Sequence, residues 1–78
     1  MIHVRYFGQV AEQTNCASET FEVPVDGFLE LKNRIIEQYQ LDPSSIQFAI
    51  NHRMVQTTMH ISLSEDDEVA VLPPFAGG

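Results

Sequence analysis

Apolar residues at Phe28, Leu31, Ile35 and Tyr39 are spaced three, four and four apart. That spacing places all four on one face of an α-helix. On both sides of this segment the apolar period is two, the mark of half-buried strands. A chain with one helical stripe among several alternating segments has few solutions. The stripe must be laid against a sheet, which gives an α+β domain of two layers. Asp26 is placed to cap the helix by accepting a hydrogen bond from a free backbone N–H. Glu30 and Arg34 lie one turn apart and can pair. Pro43 is expected to end the helix, because Asp42 before it is pushed out of the α region.

The alternating segments supply the sheet. Ile2-His3-Val4-Arg5-Tyr6-Phe7 reads as a strand with Ile2, Val4 and Tyr6 facing inward. Gly8 ends it, and Gln9 to Gln13 can form one or two helical turns that carry Val10 inward. A second strand is expected over Thr20-Phe21-Glu22-Val23, with Phe21 and Val23 inward. Pro24 stops it, since proline has no N–H for a central ladder. Two strands so close in sequence pair most simply as an antiparallel hairpin. Ile46-Gln47-Phe48-Ala49-Ile50 is a third strand, Asn51-His52 a turn, and Arg53-Met54-Val55 a short edge segment. Leu63 precedes an acidic turn, Ser64 to Asp67. Glu68-Val69-Ala70-Val71-Leu72 is mostly apolar, as a strand in mid-sheet must be.

Length and charge narrow the function. Seventy-eight residues form one domain and bury roughly 60–65% of the unfolded chain's surface. That leaves no room for a deep catalytic cleft, so any reaction is expected to take place in a partner. Four Lys and Arg face eleven Asp and Glu, a formal net charge of −7. Nucleic acid and anionic membrane would both repel this surface, because binding to either relies on basic side chains. A partner with a basic docking face fits better. The single cysteine, Cys16, can form no internal disulfide and fits a reducing compartment. Met1 leads directly into strand-like sequence without a basic, apolar leader, so the expected location is the cytoplasm.

Side chains offer little chemistry. His3, His52 and His60 share no metal-ligand spacing, so no metal site is expected. Cys16 has no neighbouring base in sequence to make it a thiolate. Glu65, Asp66, Asp67 and Glu68 form a solvated acidic turn. Cys16→Ser and His52→Ala are therefore expected to leave the chemistry near normal.

The end of the chain is different. Pro73 and Pro74 fix φ and favour an extended, solvated backbone, so the last strand cannot curl back. Phe75 is an apolar anchor with no evident place in the core, suited to a partner's pocket. Ala76, Gly77 and Gly78 then present bare backbone and a carboxylate, narrow enough to enter a tunnel. Residues 1–72 are read as the folded domain and 73–78 as a flexible tail. A carboxylate is inert at neutral pH until activated, for example as a mixed anhydride with AMP. It can then accept sulfur or an amine.

Over its whole length the chain resembles the small subunit of molybdopterin synthase, a sulfur carrier with the ubiquitin-like β-grasp fold. Met1 to Gly8 is similar to that family's first strand. Asn51 falls where the family places Asn in a turn, and Leu63 through Gly78 resembles its closing motif. Asp66 departs from the pattern, standing where Gly is usual; Asp can adopt the left-handed conformation at some cost.

The resemblance implies a mixed sheet with one main helix across one face. It also implies a cycle in which the chain is not catalytic alone. An ATP-dependent adenylating enzyme activates the Gly78 carboxylate, and a sulfur donor converts it to a thiocarboxylate. The tail, with Gly77 and Ala76 in the tunnel and Phe75, Pro74 and Pro73 against the partner, enters the large subunit of molybdopterin synthase. There it gives its sulfur to a cyclic pyranopterin precursor. The family's complex is a heterotetramer. No permanently bound cofactor is implied, and ATP belongs to the activating partner. Other Gly-Gly carriers, for thiamine or tRNA thiolation, and ubiquitin-like protein modifiers share the same ending. So does an interaction domain whose tail is idle.

Overall fold

A computed structural model describes residues 1–22, 27–55 and 61–74. It contains strands β1 (Ile2–Tyr6), β2 (Ser18–Phe21), β3 (Gln47–Ile50), β4 (Arg53–Val55) and β5 (Glu68–Leu72), with helices α1 (Gly8–Thr14) and α2 (Phe28–Tyr39). The strands form a mixed five-stranded sheet in the order β2-β1-β5-β3-β4. β1 pairs antiparallel with β2 and parallel with β5, while β3 runs antiparallel to both β5 and β4. The α+β class follows, with β5 in mid-sheet and Arg53–Val55 at an edge, as the apolar patterns require.

Alternation decides which side chains enter the core. Ile2, Val4 and Tyr6 are buried while His3 and Arg5 are exposed. Val69 and Val71 point the same way from β5. α2 lies over this face with Phe28, Leu31 and Ile35 buried. Phe28 meets Phe48 of β3 edge to face, with ring centroids 5.6 Å apart. Val10 of α1, Phe21 of β2, Leu41, Ile46 and Leu63 complete the core. Among the described residues no buried side-chain polar atom lacks a hydrogen-bond partner.

Several local expectations are revised. α2 ends at Tyr39, three residues before Asp42, and its C-cap Gln40 is left-handed with φ 54°. The N–H groups of Gln40 and Leu41 both return to the Ile36 carbonyl, and Leu41 is buried. The stop is a left-handed cap sealed by an apolar residue just beyond it; proline is not its cause. Pro43 instead opens a 3₁₀ turn, Pro43–Ser45, in which the Asp42 carboxylate accepts from the Ser44 N–H at 2.9 Å. The Ser44 hydroxyl, which donates to the same carboxylate at 2.7 Å, and then this N–H bond hold the Asp42 carboxyl below its ordinary pKa. No ion pair joins Glu30 and Arg34; the Arg34 guanidinium lies over the Phe21 ring at 5.2 Å. β2 begins two residues earlier than expected and Val23 lies outside the described residues, as do Pro24 and Asp26. α2 has Gly27 at its N-cap position, with no side-chain cap. Gly8 is the first residue of α1 rather than a mere strand end.

One polar cluster ties β1, β2 and α2 together. The Glu19 carboxylate accepts from the hydroxyls of both Tyr6 and Tyr39, whose rings meet edge to face at 5.7 Å. Burial and then the Glu19 bond raise the Tyr6 pKa. For Tyr39 the Glu19 bond comes first and burial second, pushing it up to about 12. A tyrosine in the unfolded chain titrates near 10. Between about pH 10 and 12 the unfolded state has therefore lost its proton while the folded state keeps it, so stability falls as pH rises through that window. Tyr39→Phe is expected to flatten this fall, checked by urea unfolding at pH values from 9 to 12.

Candidate functional site

β5 is paired on both sides almost to its end. Tyr6 stands opposite Val71, Gln47 opposite Leu72, and the Phe7 N–H donates to the Val71 carbonyl at 3.1 Å. Pro73, half-buried, then crosses the start of α1. Gly8 has φ +55°, and a Cβ placed on it would stand 3.2 Å from the Pro73 ring carbon Cγ. The bare Cα of Gly8 gives the proline ring room, and the ring covers it. The root of the tail is thus fixed by two ladders and one close packing contact. Pro74 is exposed. Phe75, Ala76, Gly77 and Gly78 lie outside the described residues.

Beside that root is the sheet face that α2 leaves open. The register aligns Arg5, Ala70, Ala49 and Met54 in one row across β1, β5, β3 and β4. Leu72 and Phe7 stand nearer the tail, and Glu68 nearer the other end. Together with His52 these residues line a cavity of about 390 Å³. Its floor is low because two alanines lie side by side in the central strands, and Met54 at its edge is 48% exposed. Arg5 lies over the Phe7 ring at 5.4 Å and 3.9 Å from the Glu68 carboxylate. The one cation and one carboxylate therefore offset each other. On a chain of net charge −7, this is a neutral, apolar surface.

At the far end of β5 the acidic turn closes on itself. The Asp67 carboxylate accepts from the Ser64 N–H at 2.7 Å and from the Asn51 side-chain amide at 2.9 Å. The Asn51 amide oxygen accepts from the Glu68 N–H at 3.0 Å. Asp66 takes the left-handed conformation with φ 66°, as expected where glycine is usual. The terminal amine of Met1 pairs with Glu65, whose hydrogen bond raises the amine's pKa. Asn51 is thus a brace between the β3–β4 turn and the first residue of β5.

The remaining sequence candidates are scattered. The His3 imidazole approaches Asp66 at 3.3 Å on the surface. Cys16 is half-buried and its thiol donates to the Ser18 carbonyl at 3.0 Å. His60 lies outside the described residues. Among the described residues no three His, Cys, Asp or Glu side chains converge as a metal site, and no helix is long and apolar enough to cross a membrane. The open face was not read from the sequence. Its signal was there in Phe7, just past β1, and Leu72 of β5, apolar residues out of phase with the buried positions of those strands.

Comparison with known proteins agrees with this geometry. The family model of the ThiS family matches residues 4–78. No curated protein sequence matches the chain. Among solved structures, a Pyrococcus furiosus chain described as molybdopterin converting factor, subunit 1, superposes with a TM-score of 0.78 at 22% identity, covering 95% of this chain and 97% of that one. The small archaeal modifier protein 1 of Haloferax volcanii gives 0.75 at 14% identity, with the same coverages, 95% and 97%. Subunit 1 or 2 in the complex of the two subunits of molybdopterin-converting factor from Helicobacter pylori 26695 gives 0.65 at 19% identity, covering 99% and 97%. Such coverage of both chains at such low identity is a likeness of fold, the ubiquitin-like β-grasp.

Proposed function

Because the chain belongs to the ThiS family, we propose that it is a sulfur carrier whose working group is the carboxylate of Gly78. One observation carries most of the weight. The strand leading to the tail is the doubly paired centre of the sheet, and its exit lies beside a largely apolar face whose one cation and one carboxylate offset each other. A rigid root next to a docking surface is what a carrier needs to aim a narrow tail into another protein.

The chemistry then belongs to the partners. An activating enzyme directs a carboxylate oxygen of Gly78 at the α-phosphate of ATP, and pyrophosphate leaves. A sulfur donor at the sulfide level, HS⁻ or its equivalent, attacks the acyl carbon of the adenylate, and AMP departs with the bonding pair. The product is a terminal thiocarboxylate. In the reading favoured by the closing motif, Leu63 to Gly78, that sulfur goes to a cyclic pyranopterin precursor in the large subunit of molybdopterin synthase. The cavity floor of Ala49 and Ala70 receives an apolar side chain of that subunit, and Phe75 fills a pocket in it. The chain would act in the cytoplasm, within a heterotetramer of two large and two small subunits.

Mass spectrometry of the intact chain, purified after coexpression with its activating enzyme, tests the carrier step. The expected species has one oxygen replaced by sulfur, located by fragmentation at Gly78. A chain found only in isopeptide linkage to lysines would identify a protein modifier instead. A chain that is never adenylated would leave the fold without this function. Incubating the thiocarboxylate with the large subunit and precursor, and separately with the thiamine and tRNA acceptors, identifies the pathway.

A further inference from the structure

The turn between β3 and β4 contains just two residues, Asn51 and His52, closed by the Ile50–Arg53 pair. Both are left-handed, with φ 50° and 72°. A hairpin of this type strongly prefers Asn-Gly, because the second residue gains nothing from a Cβ and is crowded by it. Asn51 fits that preference and braces β5 as well. His52 does not: it forms no hydrogen bond with another described residue, yet it holds the position that glycine suits best. Strain kept at an exposed position without a local partner points to a use for the side chain elsewhere.

The location of the imidazole indicates the use. It lines the sheet-face cavity together with Met54, Ala49, Leu72, Arg5 and Glu68. Its neighbours on the floor, Ala49 and Ala70, are apolar, and its ring nitrogens bond to no other described residue. Resting on the carrier reading above, we infer that His52 is a specificity-determining contact that donates a hydrogen bond to an acceptor on the docked partner. The partner segment places an apolar side chain over Ala49 and Ala70 and presents a carbonyl or carboxylate oxygen to His52. His52 takes no part in sulfur chemistry. It positions the partner, and through it the mouth of the tunnel, relative to the root of the tail.

The test separates affinity from chemistry and from folding. His52→Gly removes the ring; relief of the left-handed strain and the added freedom of the unfolded chain act in opposite directions. Its melting temperature should stay within about 4 °C of wild type. Its Kd for the large subunit, measured by calorimetry, should weaken at least tenfold, about 1.4 kcal/mol. Single-turnover transfer at saturating large subunit should remain near the wild-type rate. His52→Asn and His52→Gln each carry an amide donor, at the reach of Nδ1 and Nε2 respectively, and one of them should recover most of the affinity. An unchanged Kd for His52→Gly overturns the contact. A loss that neither amide recovers overturns the hydrogen bond. If the wild-type chain is adenylated and binds, only this inference is at stake in those results; a wild-type chain that does neither removes the carrier reading and this contact with it.

Discussion

Deleting Gly78 should lower adenylation, or sulfur delivery in the step that follows, by about a hundredfold or more, because catalysis depends on reacting atoms placed to within about 3–3.5 Å. Losing one residue moves the carboxyl carbon back by about 3.5 Å, a whole step out of reach of the α-phosphate. Gly78→Ala should act in the same direction by a different route, since a methyl group needs width in the tunnel and removes backbone conformations open to glycine. One residue added after Gly78 should be as harmful as the deletion. The melting temperature should hardly move in any of these variants, as terminal residues make few native contacts. ATP–pyrophosphate exchange with the activating enzyme, followed by single-turnover sulfur transfer, measures both steps. Wild-type rates in both for the chain lacking Gly78 would end the carrier reading.

The second large effect is expected in the core. Leu31 is fully buried near the start of α2, the helix that spans the sheet. Leu31→Ala should cost about 3–5 kcal/mol through lost transfer energy and a cavity that neighbours cannot fill. A domain of this size has only about 4–12 kcal/mol in total. The variant should therefore unfold at much lower denaturant, and at the lower bound be largely unfolded at 37 °C. Leu29, two residues earlier on the opposite face of the helix and 59% exposed, is the control: Leu29→Ala should change stability by less than about 0.5 kcal/mol. Similar losses at both positions would mean that α2 is rotated relative to the sheet.

Much of the fold was legible because its strongest elements repeat a single physical requirement. Ile2, Val4 and Tyr6 alternate, Phe28 to Tyr39 follows the helical period, and Val69 and Val71 sit in a strand apolar on both sides. Each pattern points to one burial geometry. The helix stop was misread because Gln40 carries no compositional flag for a left-handed conformation, whereas Pro43 is conspicuous. Arg34 was assigned to Glu30 because spacing along a helix is visible in sequence and proximity to Phe21, on another element, is not. The open face was missed for a related reason. Arg5, Met54, Ala49 and Ala70 come from four strands and become neighbours only through register. The tail was legible in composition alone, and its residues from Phe75 onward lie outside the described structure.

The position of β5 has a mechanical consequence. A tail drawn into a tunnel, or withdrawn from it, transmits force to Leu72 along the strand axis. That strand is held by β1 on one side and β3 on the other. Its hydrogen bonds lie across the direction of pull, so they are loaded together in shear and do not open one after another. A tail rooted in an edge strand, such as β4, would peel away from the sheet rung by rung under the same load. On the carrier reading, a central strand that ends at the tail would let the domain be docked and released repeatedly while its sheet stays whole.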